Sequence, residues 1–221
     1  MNKTFEDVFA QLSTRDWLRW PAGEPHAHVH ALPPAYLAET IAHTYAGLAD
    51  LHPDLALVPP EWMHMTVLHG LPEAQLAEHQ LTEIEDKLTD RLAATGPIEV
   101  TLRPGVCWGA FGVVAQVVRT SHLNPLWETA RDVFTEVTGT DVYLPRVNAP
   151  HVSIAYTAGP APITSVRRWL GDRDLPTLTW TITRLHLLMQ AHDNRTITWR
   201  DPRQISLRSK SHAVPRPDQV F

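Results

Sequence analysis

Along this chain the apolar residues keep two rhythms, one near helical spacing and one alternating. Phe5, Val8, Phe9 and Leu12 share a helical face and predict an amphipathic helix over residues 5–20. Pro21 and Pro25 bound the break that follows. Residues 26–32 alternate and predict a strand. Pro33 and Pro34 open a helix to about residue 50. A short extended piece at 55–58 then meets the hard punctuation of Pro59-Pro60. Residues 62–68 read as a strand, and Leu76, Ile84, Leu88 and Leu92 mark a long helix over 72–93. Strands at 98–102 and 105–118 are expected to turn at Arg103-Pro104-Gly105. Leu126, Ala130, Val133 and Val137 predict a helix over 124–138. A loop at 145–150, a strand at 151–156 and a helix at 160–170 come next. A strand pair, 178–189 and 196–199, turns at His192-Asp193-Asn194. No period is visible after Asp201.

Helices and strands joined by hairpin-like links predict an α+β fold rather than a doubly wound parallel sheet. No repeat of 20 to 50 residues is present. Each half nevertheless carries a proline-rich turn, a strand bearing His-x-Thr or His-x-Ser, and a proline-started helix.

Composition narrows the function classes. The 221 residues suffice for one large domain or two small lobes sharing a core. A formal charge of -5 lacks the basic footprint of a protein that grips long nucleic acid. A short RNA end or a small nucleotide is the expected kind of nucleic-acid ligand. Cys107 is the only cysteine, so no internal disulfide forms. Residues 1–20 carry charges throughout and lack the apolar core of a signal peptide. The nearly apolar run 105–118 is too short for a bilayer and contains Gln116. These features lead us to expect a cytoplasmic protein with no membrane association and no stable protein partner.

The candidate chemistry lies in two strands. In the first, Trp62-Met63-His64-Met65-Thr66-Val67 presents His64 and Thr66 on one face and Met63, Met65 and Val67 on the other. In the second, His151-Val152-Ser153-Ile154 presents His151 and Ser153 opposite Val152 and Ile154. Two imidazoles with ordinary pKa values near 6.5 can divide acid and base work at neutral pH. The hydroxyls of Thr66 and Ser153 can hydrogen-bond phosphate oxygens as charge builds there. The arrangement calls for neither metal nor cofactor.

The pair His64-Met65-Thr66 and His151-Val152-Ser153 resembles the 2H phosphoesterase superfamily, in particular its bacterial 2'-5' RNA ligase-like branch. Pro59-Pro60-Glu61 before the first motif and Pro150 before the second add to the likeness, while Ser153 replaces the commoner threonine. The resemblance implies a bilobal α+β fold, with two pseudo-symmetric lobes whose antiparallel sheets flank a central cleft. It implies His64 and His151 as catalytic and Thr66 and Ser153 as phosphate-binding residues. The implied substrates are 2',3'-cyclic phosphates, 2'-5' linked RNA or related cyclic nucleotides, with 2'-5' RNA ligation as the alternative activity. The expected division is an N-terminal helical extension (1–25), one bilobal domain (26–200) and a basic C-terminal tail (201–221) containing Arg203, Arg208, Lys210 and Arg216.

Other residues carry weaker expectations. His26, His28 and His30 share a strand face; a metal site there is one alternative, and a histidine-rich strand whose His28 or His30 lines the cleft is another. Trp62, on the His64 face, can stack on a base, as can Trp108 and Phe111. Arg146 can reach phosphate from its loop. His69 and Tyr156 point away from the site by strand parity, His186 and His192 read as strand and turn residues, and Cys107 reads as packed. A non-catalytic nucleotide-binding module is the remaining alternative.

Overall fold

The computed structural model describes residues 4–14, 19–106, 112–118, 123–142 and 150–207. Five helices occur among them: α1 (Val8–Thr14), α2 (Ala35–Tyr45), α3 (Glu78–Leu92), α4 (Asn124–Thr138) and α5 (Ile163–Gly171). The strands are β1 (His26–Ala31), β2 (Leu55–Leu57), β3 (Met65–Pro72), β4 (Ile98–Val106), β5 (Gly112–Val117), β6 (His151–Thr157), β7 (Leu178–Ile182), β8 (Arg184–His192) and β9 (Ile197–Ser206).

The apolar stripes read from the sequence become the buried helix faces, except that Leu76 precedes α3 and Val137 is half-buried. Leu81, Ile84, Leu88 and Leu92 of α3 are buried, as are Leu126, Ala130, Val133 and Phe134 of α4. Pro125 fits the first turn of α4, where a backbone N–H has no helical partner, and Gly139 ends the helix at φ 69°. The Gln80 side chain accepts the Ala77 N–H at 2.9 Å and caps the start of α3.

All described strands belong to one antiparallel sheet in the order β7-β4-β5-β6-β3-β1-β8-β9, with β2 added on β6. The sheet curls into a half-barrel of two lobes. One lobe, β3-β1-β8-β9, is backed by α4 against β3 and α3 against β9. The other, β7-β4-β5-β6, packs α2 against β6 and α5 against β4. Among the described residues the lobes join through one β3–β6 pair, Met65↔Val152. Both side chains are fully buried, so the seam is anchored in the core.

Several elements depart from the sequence reading. The first helix is limited to Val8–Thr14 among the described residues, and β3 runs on to Pro72, so α3 starts only at Glu78. Arg103, Pro104 and Gly105 do not turn; they stay in β4, opposite Gln116, Ala115 and Val114. β7 pairs β4 only over Ile98–Leu102, which leaves an open edge beside Pro104, where a missing N–H costs nothing. The expected single strand 178–189 divides at Thr183. β7 extends one lobe, and β8 crosses to pair with β1 in the other. The expected tail also begins later. β9 continues through Asp201 to Ser206, and Arg203 pairs with Glu78 and Glu85. Arg208, Lys210 and Arg216 lie outside the described residues.

Gly70 shows how tightly the first lobe is built. A Cβ there would collide with the Ala27 carbonyl and stand 2.7 Å from the Phe134 ring. Gly70→Ala should therefore cost about 1–3 kcal/mol, as overpacking does. A thermal melt should show Tm lowered by roughly 2–4 °C per kcal/mol in a domain of this size. An unchanged Tm would contradict the packing described.

Candidate active site

The lobe junction carries a local two-fold. In an antiparallel pair, the axis through the Met65↔Val152 contact sends each residue of one strand to the residue at the same offset in the other. It therefore exchanges His64 with His151 and Thr66 with Ser153. Met65 and Val152 point into the core, so their flanking neighbours point to the opposite, concave face. One pair of hydrogen-bonded strands thus brings all four sequence-predicted residues to one place. His64 is buried; Thr66, His151 and Ser153 are half-buried.

Strand parity fails just beyond both motifs. The β1–β3 register slips between Val29↔Leu68 and His30↔Thr66, which leaves Val67 as an extra residue. The β5–β6 register slips between Val113↔Ala155 and Val114↔Ser153, which leaves Ile154 extra. The two bulges are related by the same two-fold. Each returns the residue five positions after the motif histidine to the concave face. His69 and Tyr156 accordingly belong to the face that parity denied them. The His69 ring lies edge-on to His28, with centroids 4.8 Å apart, and Tyr156 meets Phe9 of α1 edge-on at 5.5 Å.

His64 is held at both nitrogens. Its Nδ1–H donates to the Trp62 carbonyl at 2.9 Å, and Nε2 lies 3.1 Å from Nε2 of Gln190. The His30 ring stacks on it, 4.2 Å between centroids and 6° between planes. Trp199 of β9 stands edge-on to His64 at 5.3 Å and to Trp62 at 4.8 Å. Burial lowers the His64 pKa to about 4, helped by repulsion from His151 and opposed by the Trp62 carbonyl. The imidazole is therefore neutral at pH 7, with its lone pair on Nε2.

His64 ends a row of buried imidazoles. His26, His28 and His30 share the concave face, as their alternation predicts. Desolvation holds the pKa of His28 and His30 well below the ordinary value and also lowers that of His26. His69 is lowered to about 4 by burial and by repulsion from His64, His151 and His26. Among the described residues, no group of three or more His, Cys, Asp or Glu side chains is arranged to hold a metal ion. The row is packed against aromatic rings instead. Trp20, almost wholly buried, lies 5.8 Å from His26, 5.2 Å from His28 and 4.8 Å from His192. The His192 Nε2–H donates to the Trp20 carbonyl at 2.9 Å. The N-terminal segment is thus docked on the fold: Phe5, Phe9 and Trp20 are buried in the core, with Phe9 against Tyr156 and His192.

Trp62 and His30 stand beside His64, and His28 adjoins His30 one step along β1. Trp108, Phe111, Arg146 and Cys107 lie outside the described residues. Sequence reasoning missed Gln190, Trp199, His69 and Trp20. The repeated spacing of motif plus five, ending in His69 and Tyr156, was a usable signal. Nothing in the sequence pointed to Gln190, which reaches His64 across β1. Among the described residues no helix is long and apolar enough to cross a membrane.

A curled antiparallel half-barrel, with His-x-Thr and His-x-Ser segments meeting on a two-fold, is the arrangement of the 2H phosphoesterase superfamily. The chain belongs to the 2'-5' RNA ligase superfamily, whose family model matches residues 33–194. Solved structures share the fold. TT0787 of Thermus thermophilus aligns at TM-score 0.62 and 18% identity, over 84% of this chain and 99% of that one. A structure described as a phosphoesterase aligns at 0.61 and 13%, over 84% and 99%. E. coli LigT complexed with 3'-AMP aligns at 0.61 and 14%, over 83% and 99%. No curated protein matches.

Proposed function

We propose that this protein is a phosphodiesterase acting on 2',3'-cyclic phosphate or 2'-5' linked RNA-type substrates by two-histidine acid–base catalysis. The observation that carries this reading is the two-fold at Met65↔Val152, which sets His64 with Thr66 against His151 with Ser153. A phosphate placed on that axis meets one imidazole on each side of phosphorus. One takes a proton from water as its oxygen bonds to phosphorus; the other gives a proton to the ribose oxygen as its bond to phosphorus breaks. The hydroxyls of Thr66 and Ser153 donate to the non-bridging oxygens. Both transfers balance without a metal. That a structure sharing this fold, E. coli LigT, is complexed with 3'-AMP supports a nucleotide as the kind of ligand. Ligation is the same pair of transfers reversed, and the chain's net charge of -5 favours small substrates and hydrolysis.

The test is turnover of an oligoribonucleotide ending in a 2',3'-cyclic phosphate, with and without EDTA. Equal opening to a monophosphate in both supports the reading; dependence on a divalent ion, or no opening, counts against it.

Trp62 and Trp199 form an aromatic corner beside His64 that suits a nucleobase. Stacking is worth roughly 1–3 kcal/mol per base, so Trp199→Ala should raise KM for 2',3'-cyclic AMP about tenfold. A base-free cyclic phosphodiester should be unaffected; an equal loss on both would remove the base from that corner.

A further inference from the structure

The axis at Met65↔Val152 relates more than the two motifs. Followed outward across each lobe, it exchanges two arginines, Arg103 of β4 and Arg184 of β8. We propose that they hold the phosphates on either side of the reacting one, so that the substrate is a short nucleotide chain rather than a mononucleotide. The inference rests on the phosphodiesterase reading above.

Register fixes the correspondence. In the first lobe Thr66 lies opposite His30, and His30 opposite His186. In the second, Ser153 lies opposite Val114, and Val114 opposite Gly105. Arg184 stands two residues before His186, and Arg103 two residues before Gly105. Side chains two apart share a strand face, so both arginines belong to the face of the motif hydroxyls. Their neighbours Leu185 and Leu102 are buried in the core on the other face.

Local contacts agree. Arg184 donates from Nη1 to Oε1 of Gln204 at 3.3 Å, and Gln204 lies opposite His186. Burial, and then the Arg184 charge, lower the pKa of His186, which sets the guanidinium near that ring. Beside Arg103, the Gln116 side chain leans over Gly105, where a Cβ would stand 2.7 Å from it. Gln116 lies opposite both Arg103 and His151. Neighbouring strands are about 4.8 Å apart, so the Arg103 backbone stands roughly 10 Å to the side of His151. Each guanidinium is thus placed beside the phosphate on the axis, where the next phosphate of a nucleotide chain passes.

Charge separates these two from other strand arginines. Arg200 pairs with Glu73 and Asp201, and Arg203 with Glu78 and Glu85. Arg103 and Arg184 are exposed, and neither forms an ion pair with a carboxylate among the described residues. β7 pairs with β4 only as far as Leu102, so the edge beside Arg103 is open to a passing chain. A guanidinium presents a planar fork of donors that matches phosphate oxygens. An RNA end closed as a cyclic phosphate fills one of the two positions; a linkage within a chain fills both.

The test compares a tetranucleotide that has a central 2'-5' linkage and a 3'-5' linkage on each side with the dinucleotide that has the 2'-5' linkage alone. The wild type should prefer the tetranucleotide. The ratio of kcat/KM values, tetranucleotide over dinucleotide, should fall about tenfold in Arg103→Gln and in Arg184→Gln. A phosphorothioate form of the tetranucleotide, which resists cleavage, gives affinity against salt. The slope of log affinity on log salt should be shallower by about 0.7 in each Gln variant, and Arg103→Lys and Arg184→Lys should keep the wild-type slope. A wild type that binds the tetranucleotide no better than the dinucleotide, or Gln variants with the wild-type slope, overturns the proposal. Because the slopes need no turnover, a failure of the phosphodiesterase reading would show separately, as absent cleavage by a wild type whose arginines bind as described.

Discussion

Lowering the pH from 7 to 5 should unfold this protein. Burial lowers the pKa of His26, His28, His30, His64, His69 and His186, so all six are less basic in the fold than in the unfolded chain. With depressed folded values, the stability these groups contribute is fully present above the unfolded value of 6.5. It is lost as pH falls from there toward the folded values, because the unfolded chain binds protons that the fold refuses. Each such proton costs about 1.4 kcal/mol per pH unit. Several together remove on the order of 5 kcal/mol per unit, against a whole-domain stability of roughly 5–15 kcal/mol. Glu136 and Asp193, whose pKa values are lowered by their hydrogen-bond donors, add a second loss only below their ordinary values of 4.5 and 3.8. Urea midpoints measured from pH 8 to 5 should give a slope of several protons, and His28→Leu or His30→Leu should each lower it. A slope below one proton would mean that the imidazole row is not neutral and dry.

The second large effect concerns the motif pair. A positioned acid or base contributes about a hundred- to ten-thousand-fold, so His64→Ala and His151→Ala should each lower kcat by that order with little change in KM. Thr66→Val and Ser153→Ala remove single donors to the phosphate and should cost less, about tenfold to a hundredfold. Acid and base act in one displacement, so the double variant His64→Ala/His151→Ala should fall little below the worse single one. Independent contributions would multiply instead.

Most of the helices, and the shared faces of the four motif residues, could be read from the sequence because they depend on local periodicity. The faces of α3 and α4 follow helical spacing, and His151 to Ser153 alternate in β6 as written, whereas the expected strand 62–68 opens only at Met65, after a 3-10 turn over Pro60–Trp62. What stayed hidden depends on contacts distant in sequence. Whether Pro104 turns or continues rests on β7 leaving the edge beside it open. His69 and Tyr156 were assigned to the wrong face because a bulge is visible only in the register with a partner strand. Gln190 and Trp199 come from strands whose chain separation from His64 gives no local cue. The burial of His26 and His28 depends on Trp20, a residue the sequence placed at the end of an amphipathic helix.

The most direct test of the two-histidine account is a single-turnover measurement on a 2',3'-cyclic-phosphate-ended oligoribonucleotide in EDTA, with wild type, His64→Ala, His151→Ala and the double variant side by side. The account predicts rapid opening by the wild type, a loss of about a hundredfold or more in each single variant, and a double variant close to the slower of them. Opening that persists in either single variant at the wild-type rate would contradict it.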